Sequence, residues 1–167
     1  MILLDTCAII WDALDRAQLS DKALSAMNRA DESNTLIVSD ISIWEIAMLI
    51  HKERIKIATT ATNFVNLYLQ TRNISVIPIS PEIADLSVNL ELGTNKDPAD
   101  RIIAATSITQ NAQLVTADQN LIAELKSFYA NKPHQVLLDQ CLSSLPEYKL
   151  GHEVITHIDD VFLKPLD

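Results

Sequence analysis

Four acidic side chains stand at or near the ends of predicted strands and helices, where distant parts of a chain can meet. In chain order they are Asp5, Glu45, Asp100 and Asp118. If they meet, two unit charges about 4 Å apart repel by roughly 4 kcal/mol at an effective dielectric constant of about 20. A hard cation that prefers oxygen ligands, Mg²⁺ or Mn²⁺, would relieve this repulsion. Such an ion activates water and stabilises a phosphoryl oxygen, so the pattern predicts hydrolysis of a phosphodiester bond.

Apolar runs that alternate with helical patterns predict an α/β fold, with a parallel sheet covered by helices on both faces. The predicted strands are Ile2–Leu4, Thr35–Val38, Ile74–Pro78 and Leu114–Val115, with a short fifth at Val136–Leu138. The predicted helices are Thr6–Leu14, Ser20–Ala30, Ser42–Ile50, Asn63–Gln70, Pro81–Leu92, Leu121–Tyr129 and one that starts at Pro98. The chain beyond residue 138 breaks the alternation and is interpreted as an extension rather than a second domain.

Open parallel sheets bind ligands beyond the carboxyl ends of their strands, at the point where the strand order reverses. Asp5 ends the first predicted strand and Asp118 follows the fourth, so these acids share one mouth if those strands are neighbours. Asp100 lies in the first turn of the helix before the fourth strand, and Glu45 in the first turn after the second. The hydroxyls predicted to orient carboxylates or water in this site are those of Thr6, Ser42 and Thr116.

Some of these acids also have an ordinary structural explanation. Ser42 and Glu45 have the spacing of a capping box, so Glu45 alone fits a helix cap. Asp118 fits the cap of a helix that begins near Asn120. Asp5 is the hardest to explain in this way, because an acid directly after a buried strand gains no obvious helix contact.

The helix that starts at Pro98 carries charged residues with different explanations. Asp97 is interpreted mainly as its N-cap, with Pro98 suited to the first helical position. Asp100 either joins the site or only favours the positive end of the helix. Arg101 either pairs with an acid or contacts a phosphate of the substrate, and the sequence leaves both alternatives open.

Composition limits the classes of function. The formal net charge of −9 argues against a general nucleic-acid binder that neutralises phosphates over a wide surface. A dense basic group offers candidate substrate contacts, with a solvated helix end as the alternative; it comprises Lys52, Arg54 and Lys56. The two glycines, Gly93 and Gly151, are too few and too far apart for the glycine-rich loops that bind phosphates.

Neither a membrane anchor nor a secretory signal is expected. No apolar run reaches membrane-spanning length, and the start Met1–Asp5 is too short and too early charged for a signal peptide. The two cysteines, Cys7 and Cys141, support neither a disulfide framework nor a cysteine zinc site. The sequence therefore predicts a soluble, cytoplasmic protein with no membrane partner.

In order and spacing, four segments of the chain resemble the PIN-domain ribonucleases, and specifically the VapC-type toxins of bacterial toxin–antitoxin pairs. The segments are Leu3–Thr6, Ser42–Ile46, Asp97–Ala105 and Leu114–Asp118. Each motif alone is weak, but four in register are specific. The agreement covers residues 1 to 138, which is most of the chain.

This resemblance implies a three-layer α/β/α sandwich with a parallel sheet in residues 1–138, followed by a C-terminal extension at 139–167. It implies that the four acids named above are the metal ligands and catalytic residues of a divalent-metal-dependent endoribonuclease that acts on RNA. It further implies inhibition by a cognate antitoxin protein, and dimers are common in the family. The extension is expected to cover a sheet edge or to contact a second protomer or the antitoxin.

Two other functions are compatible with the pattern. A chain that keeps the fold but has lost the chemistry would be a non-catalytic interaction module, although all four acids are present. A haloacid-dehalogenase-type phosphatase also begins with an apolar strand that ends in Asp. That chemistry needs a second Asp two residues later, where this chain has Cys7.

Overall fold

The strands form one parallel sheet. In the computed structural model, which describes residues 1–90 and 97–130, the strands are β1 (Ile2–Leu4), β2 (Leu36–Ser39), β3 (Ile74–Ile77) and β4 (Gln113–Val115). Their order is β3-β2-β1-β4, and every neighbouring pair is parallel. β1 and β4 are neighbours, which meets the condition under which Asp5 and Asp118 share one mouth. Because the chain builds β2 and β3 on one side of β1 and β4 on the other, the strand order reverses between β1 and β4.

Seven α-helices within the described residues cover this sheet. They are α1 (Thr6–Leu14), α2 (Asp21–Glu32), α3 (Asp40–His51), α4 (Ala61–Thr71), α5 (Pro81–Asn89), α6 (Pro98–Thr109) and α7 (Gln119–Ala130). A short 3₁₀ turn at Arg16–Gln18 joins α1 to α2. Each predicted helix is present, and α1 has the predicted bounds.

A hydrophobic core lies on each face of the sheet. Ile2 and Leu4 pack with residues of α1–α4 on one face, and Leu3 packs with residues of α5–α7 on the other. Every residue of β1 and β2 is buried, which is typical of parallel strands covered on both faces. The predicted three-layer α/β/α sandwich is therefore confirmed.

Helix α3 begins earlier than the sequence predicts. Its N-cap is Ser39, the last residue of β2, so strand and helix follow each other without a loop. Ser42 is the third residue of the helix and is fully buried. The capping-box explanation of Ser42 and Glu45 is therefore wrong, because neither residue lies at the helix start.

Two predicted features fall outside the described residues. These are the fifth strand at Val136–Leu138 and the C-terminal extension at 139–167, so the domain division at residue 138 stays a prediction. In the described part of the chain, no helix is both long enough and apolar enough to span a membrane.

Candidate active site

A cleft of about 370 Å³ opens at the carboxyl ends of β1 and β4. It is lined by Asp5, Thr6, Cys7, Ile10, Glu45, Leu49, Asp100, Ala117 and Asp118. The structure thus brings all four predicted acids around one cleft, although they come from four different segments of the chain. The cleft lies at the reversal of strand order, where open parallel sheets bind ligands.

Asp5 is the most enclosed of these acids, with 6% of the residue exposed. Its Oδ1 accepts a hydrogen bond from the Thr6 backbone N–H at 2.6 Å, which makes Asp5 the N-cap of α1. The expectation that Asp5 gains no helix contact is therefore wrong. Its Oδ2 accepts from Thr116 Oγ1 at 2.5 Å and from Cys7 Sγ at 3.2 Å.

The environment of Asp5 is costly for a negative charge. Burial raises the pKa of Asp5, and the nearby charge of Asp118 raises it further. The hydrogen bonds from Thr116, Cys7 and Thr6 favour the carboxylate but offset the burial only in part. A bound cation would favour the ionised form of Asp5.

Glu45 faces Asp5 across the first residue of α1. Thr6 Oγ1 donates to Glu45 Oε2 at 2.6 Å, while the Thr6 backbone N–H donates to Asp5. Thr6 therefore fixes both carboxylates. Burial raises the pKa of Glu45 to about 7, and the charges of Asp5, Asp100 and Asp97 act in the same direction.

Asp118 caps a helix and also borders the cleft, so its predicted site role stays a prediction. Its Oδ1 accepts from the backbone N–H groups of Asn120 at 2.7 Å and Leu121 at 3.2 Å, so it caps α7. It also lines the cleft. Its own N–H donates to Thr116 Oγ1 at 3.0 Å, and the same hydroxyl donates to Asp5. Thr116 thus links the acids that follow β1 and β4.

Helix α6 presents Asp100 to the cleft from its first turn. Asp97 is its N-cap and accepts from the Ala99 N–H at 2.9 Å, as predicted. Pro98 occupies the start of the helix, where its missing N–H costs no hydrogen bond. The Asp97–Pro98 cap therefore sets the direction in which Asp100 leaves the helix.

Arg101 contacts α5. Its Nε donates to the Ser87 carbonyl at 2.8 Å, and Nη2 donates to the carbonyls of Val88 at 3.2 Å and Leu90 at 2.6 Å. These are carbonyls at the C-terminal end of α5, which lack partners within the helix. Neither predicted alternative, pairing with an acid or contacting a phosphate, describes these bonds. Through these bonds Arg101 fastens the first turn of α6 to α5, and the two predicted alternatives stay predictions.

The remaining predicted residues lie away from the carboxylates. Ser42 is fully buried, and its hydroxyl has no hydrogen-bond partner among the described residues, so it does not orient a carboxylate here. Lys52, Arg54 and Lys56 are exposed at and beyond the C-terminal end of α3 and do not line the cleft. Any substrate contact that they make lies outside the cleft itself.

The donor chemistry of the cleft fits a hard cation. The carboxylates and hydroxyls around it supply oxygen ligands, and Mg²⁺ and Mn²⁺ prefer oxygen. Within residues 1–90 and 97–130, however, no three His, Cys, Asp or Glu side chains are placed closely enough to hold one ion. For three of these carboxylates to hold one ion, their side chains would have to move closer together.

Four lining residues were not predicted from the sequence: Cys7, Ile10, Leu49 and Ala117. Helical spacing would have found two of them, because Ile10 lies four residues after Thr6 and Leu49 four residues after Glu45. Burial and the charge of Asp5 raise the pKa of the Cys7 thiol well above its usual value. The neutral thiol therefore donates a hydrogen bond to Asp5 Oδ2.

The metal-free protein is expected to lose stability as pH rises through the range set by Glu45. Its pKa of about 7 in the folded chain exceeds the ordinary value of 4.5, so the folded state holds the proton more tightly. Protonated Glu45 therefore stabilises the folded state at low pH. This stabilising contribution is lost as pH rises from about 4.5 to about 7. Glu45 is partly exposed, so solvent screens its charge and reduces the effect on stability. We therefore expect a fall in Tm of about 2–4 °C from pH 5 to pH 8, measured in EDTA. Glu45→Gln should flatten this profile; an unchanged profile would contradict the assignment to Glu45.

Comparisons with known proteins agree with this geometry. Residues 2–126 match the family model of the PIN domain. The chain is also similar to Ribonuclease VapC22 of Mycobacterium tuberculosis (strain ATCC 25618 / H37Rv). The two are 34% identical over 120 residues, which cover 72% of this chain and 88% of the relative.

Proposed function

Because this chain belongs to the PIN-domain family of VapC-type ribonucleases, we propose that it is a divalent-metal-dependent endoribonuclease that hydrolyses RNA phosphodiester bonds. The observation that carries this proposal is the convergence of four acids on one cleft at the reversal point of the sheet. The similarity to a protein named a ribonuclease supports the choice of RNA as the substrate.

Asp5, Glu45, Asp100 and Asp118 are the residues proposed to hold Mg²⁺ or Mn²⁺ and to act in catalysis. When bound, such an ion supplies an activated water and stabilises charge on the phosphoryl oxygens. The chain itself supplies the fixed positions of the acids. Thr6 holds Asp5 and Glu45 together, and Thr116 holds Asp5 next to the segment that carries Asp118. These hydroxyls are the residues proposed to orient the carboxylates.

We also propose that the protein is the toxin of a toxin–antitoxin pair, inhibited by a cognate antitoxin protein and active as a homodimer. The membership in the VapC-type family supports this proposal. The C-terminal extension, residues 139–167, is the segment proposed to contact the antitoxin or the second protomer. Cytoplasmic RNA is the substrate expected for such a toxin.

The alternatives are less well supported. The family match and the thiol at Cys7 argue against a haloacid-dehalogenase-type phosphatase, which needs a second Asp at that position. A non-catalytic interaction module has no reason to keep four carboxylates around a cleft, because each buried charge lowers stability unless it is paired.

Removal of divalent metal is expected to abolish RNA cleavage. Purified protein dialysed against EDTA should be inactive on a labelled single-stranded RNA, and excess Mg²⁺ or Mn²⁺ should restore cleavage. Binding to the native state also raises its stability, by about 2.7 kcal/mol at a ligand concentration 100 times Kd, so the Tm should rise with added metal. Full activity in EDTA would contradict the proposed dependence of RNA cleavage on a divalent metal. Calorimetry that detects no metal binding would favour the non-catalytic module.

A further inference from the structure

Helix α3, which contributes two residues to the lining of the cleft, also carries an exposed aromatic side chain. Trp44 has 57% of its surface exposed, and it immediately precedes Glu45, which lines the cleft together with Leu49. His51, seven residues after Trp44, is also exposed and lies on the same side of the helix. The exposed side of α3 therefore runs from the residue next to Glu45 to the C-terminal end of the helix.

The basic group of the chain begins where this side of α3 ends. Lys52, Arg54 and Lys56 are all exposed. They are three of 13 lysines and arginines in a chain of net charge −9, and no other segment of five residues carries three. At 1.5 Å per residue, Trp44 and Lys52 are about 12 Å apart along the axis, a distance that a few nucleotides can span.

We propose that this surface, formed by Trp44 and by Lys52, Arg54 and Lys56 and called here the α3 surface, binds the single-stranded RNA that flanks the scissile bond. The inference rests on the proposed ribonuclease function. Trp44 stacks on an unpaired nucleobase, and the three cationic side chains contact the phosphates. An aromatic platform followed by a cationic track is the arrangement that binds single strands without strong base preference.

Charge explains why RNA would follow this route. A polyanion is repelled by most of an acidic surface, so it approaches where positive charge is concentrated. The cleft itself is lined by carboxylates, and without a nearby cationic surface only the bound metal would attract the backbone. Other strongly exposed apolar side chains, such as Leu67 and Val88, belong to α4 and α5, which contribute no residue to the lining of the cleft, whereas α3 contributes Glu45 and Leu49. Among the described residues, Trp44 is thus an exposed aromatic that is adjacent in sequence to a predicted catalytic acid, Glu45.

The stacking role is tested by substituting Trp44. With a labelled 12-nucleotide single-stranded RNA, Trp44→Ala should raise KM by about tenfold or more, because stacking contributes on that scale per base, while kcat stays near wild type. Trp44→Phe keeps a π-face and should recover most of the loss. The matched control is Leu67→Ala, which removes an equally exposed apolar side chain on α4. A KM for Trp44→Ala equal to that of the control would overturn the stacking role.

The cationic role has a separate readout. Replacing Lys52, Arg54 and Lys56 together by Gln should weaken binding and reduce the slope of log affinity against log salt by about two, as expected when three contacts to a single strand are lost. Arg29→Gln, which removes one exposed charge on α2, is the control and should leave the slope unchanged. An unchanged slope in the triple variant would exclude contacts to phosphate.

Binding is best measured by fluorescence anisotropy in an Asp5→Asn background, so that failure of the proposed function and failure of this inference are distinguishable. Wild-type protein that never cuts RNA with metal present would refute the ribonuclease proposal, while anisotropy would still report on the α3 surface. Trp44→Ala that binds RNA normally but no longer binds an antitoxin would show that the surface is a protein interface, which also overturns the inference.

Discussion

Asp5→Asn is expected to lower kcat for RNA cleavage by roughly 10²–10³-fold, the scale seen when one electrostatic contact to the reacting centre is lost. The substitution removes the negative charge from the most enclosed acid of the cleft and keeps its size. It also weakens the attraction for a divalent cation, so the metal-dependent rise in Tm should shrink. The measurement is single-turnover cleavage at saturating Mg²⁺, together with thermal melting with and without metal.

The fold should survive this substitution. Burial raises the pKa of Asp5, so the ionised carboxylate lowers the stability of the folded state. A neutral amide of the same size avoids this loss of stability. We therefore expect the metal-free Tm of Asp5→Asn to equal or exceed that of wild type. Asp85→Asn, an exposed acid on α5, is the control and should leave activity unchanged. If Asp5→Asn keeps more than about a tenth of the activity, the loss is too small for a metal ligand, which should cost several kcal/mol of transition-state stabilisation.

Much of the fold was predictable because local patterns and burial agree. The continuous apolar run Ile2–Leu4 can only be buried on both sides, and Thr6–Leu14 begins directly after it as a helix. The start of α3 was missed because β2 passes into it without a loop at Ser39. A strand that becomes a helix at its last residue has no turn signal, and Ser42 then looks like a cap when it lies inside the helix.

The four acids could be predicted to lie together, but the partners of individual side chains could not. Asp118 fits both a cap and a site because one carboxylate can accept from backbone N–H groups with one oxygen and still line a cleft. The partners of Arg101 depend on where the last carbonyls of α5 lie, and that is set by the packing of two helices. Long-range geometry of this kind leaves no pattern in a single sequence.

The role of Asp12 could not be predicted from the sequence either, because nothing in its sequence context distinguishes it from a catalytic acid. It is an acid on α1 only seven residues after Asp5, and its side chain is 2% exposed. Yet it lines a different cleft, of about 490 Å³, which contains none of the four acids of the candidate active site. Arg72 contacts both of its oxygens, with Nε at 2.6 Å and Nη2 at 2.8 Å, and Tyr68 donates to it at 3.0 Å. Asp12 therefore joins α1 to α4.

Asp12→Ala is expected to lower the free energy of unfolding by about 3–5 kcal/mol, because it leaves the mostly buried guanidinium of Arg72 without this carboxylate partner. The remaining contact of Arg72 with Asp31, at 3.1 Å, retains only part of the network. Urea denaturation of the metal-free protein measures the change. Asp15→Ala, an exposed acid at the end of the same helix, should cost about 1 kcal/mol or less.

A paired replacement separates the value of this ion pair from the cost of breaking it. Asp12→Leu combined with Arg72→Met removes both charges and fills the space with apolar atoms, so it should be clearly more stable than Asp12→Ala. Such a result would assign the loss in the single variant to the stranded Arg72 rather than to the missing contacts of Asp12. Residual RNA cleavage by the folded fraction of Asp12→Ala should be normal per molecule, because Asp12 lines the other cleft. A stable but inactive Asp12 variant would contradict this structural role of Asp12 and would place the acid in the catalytic machinery.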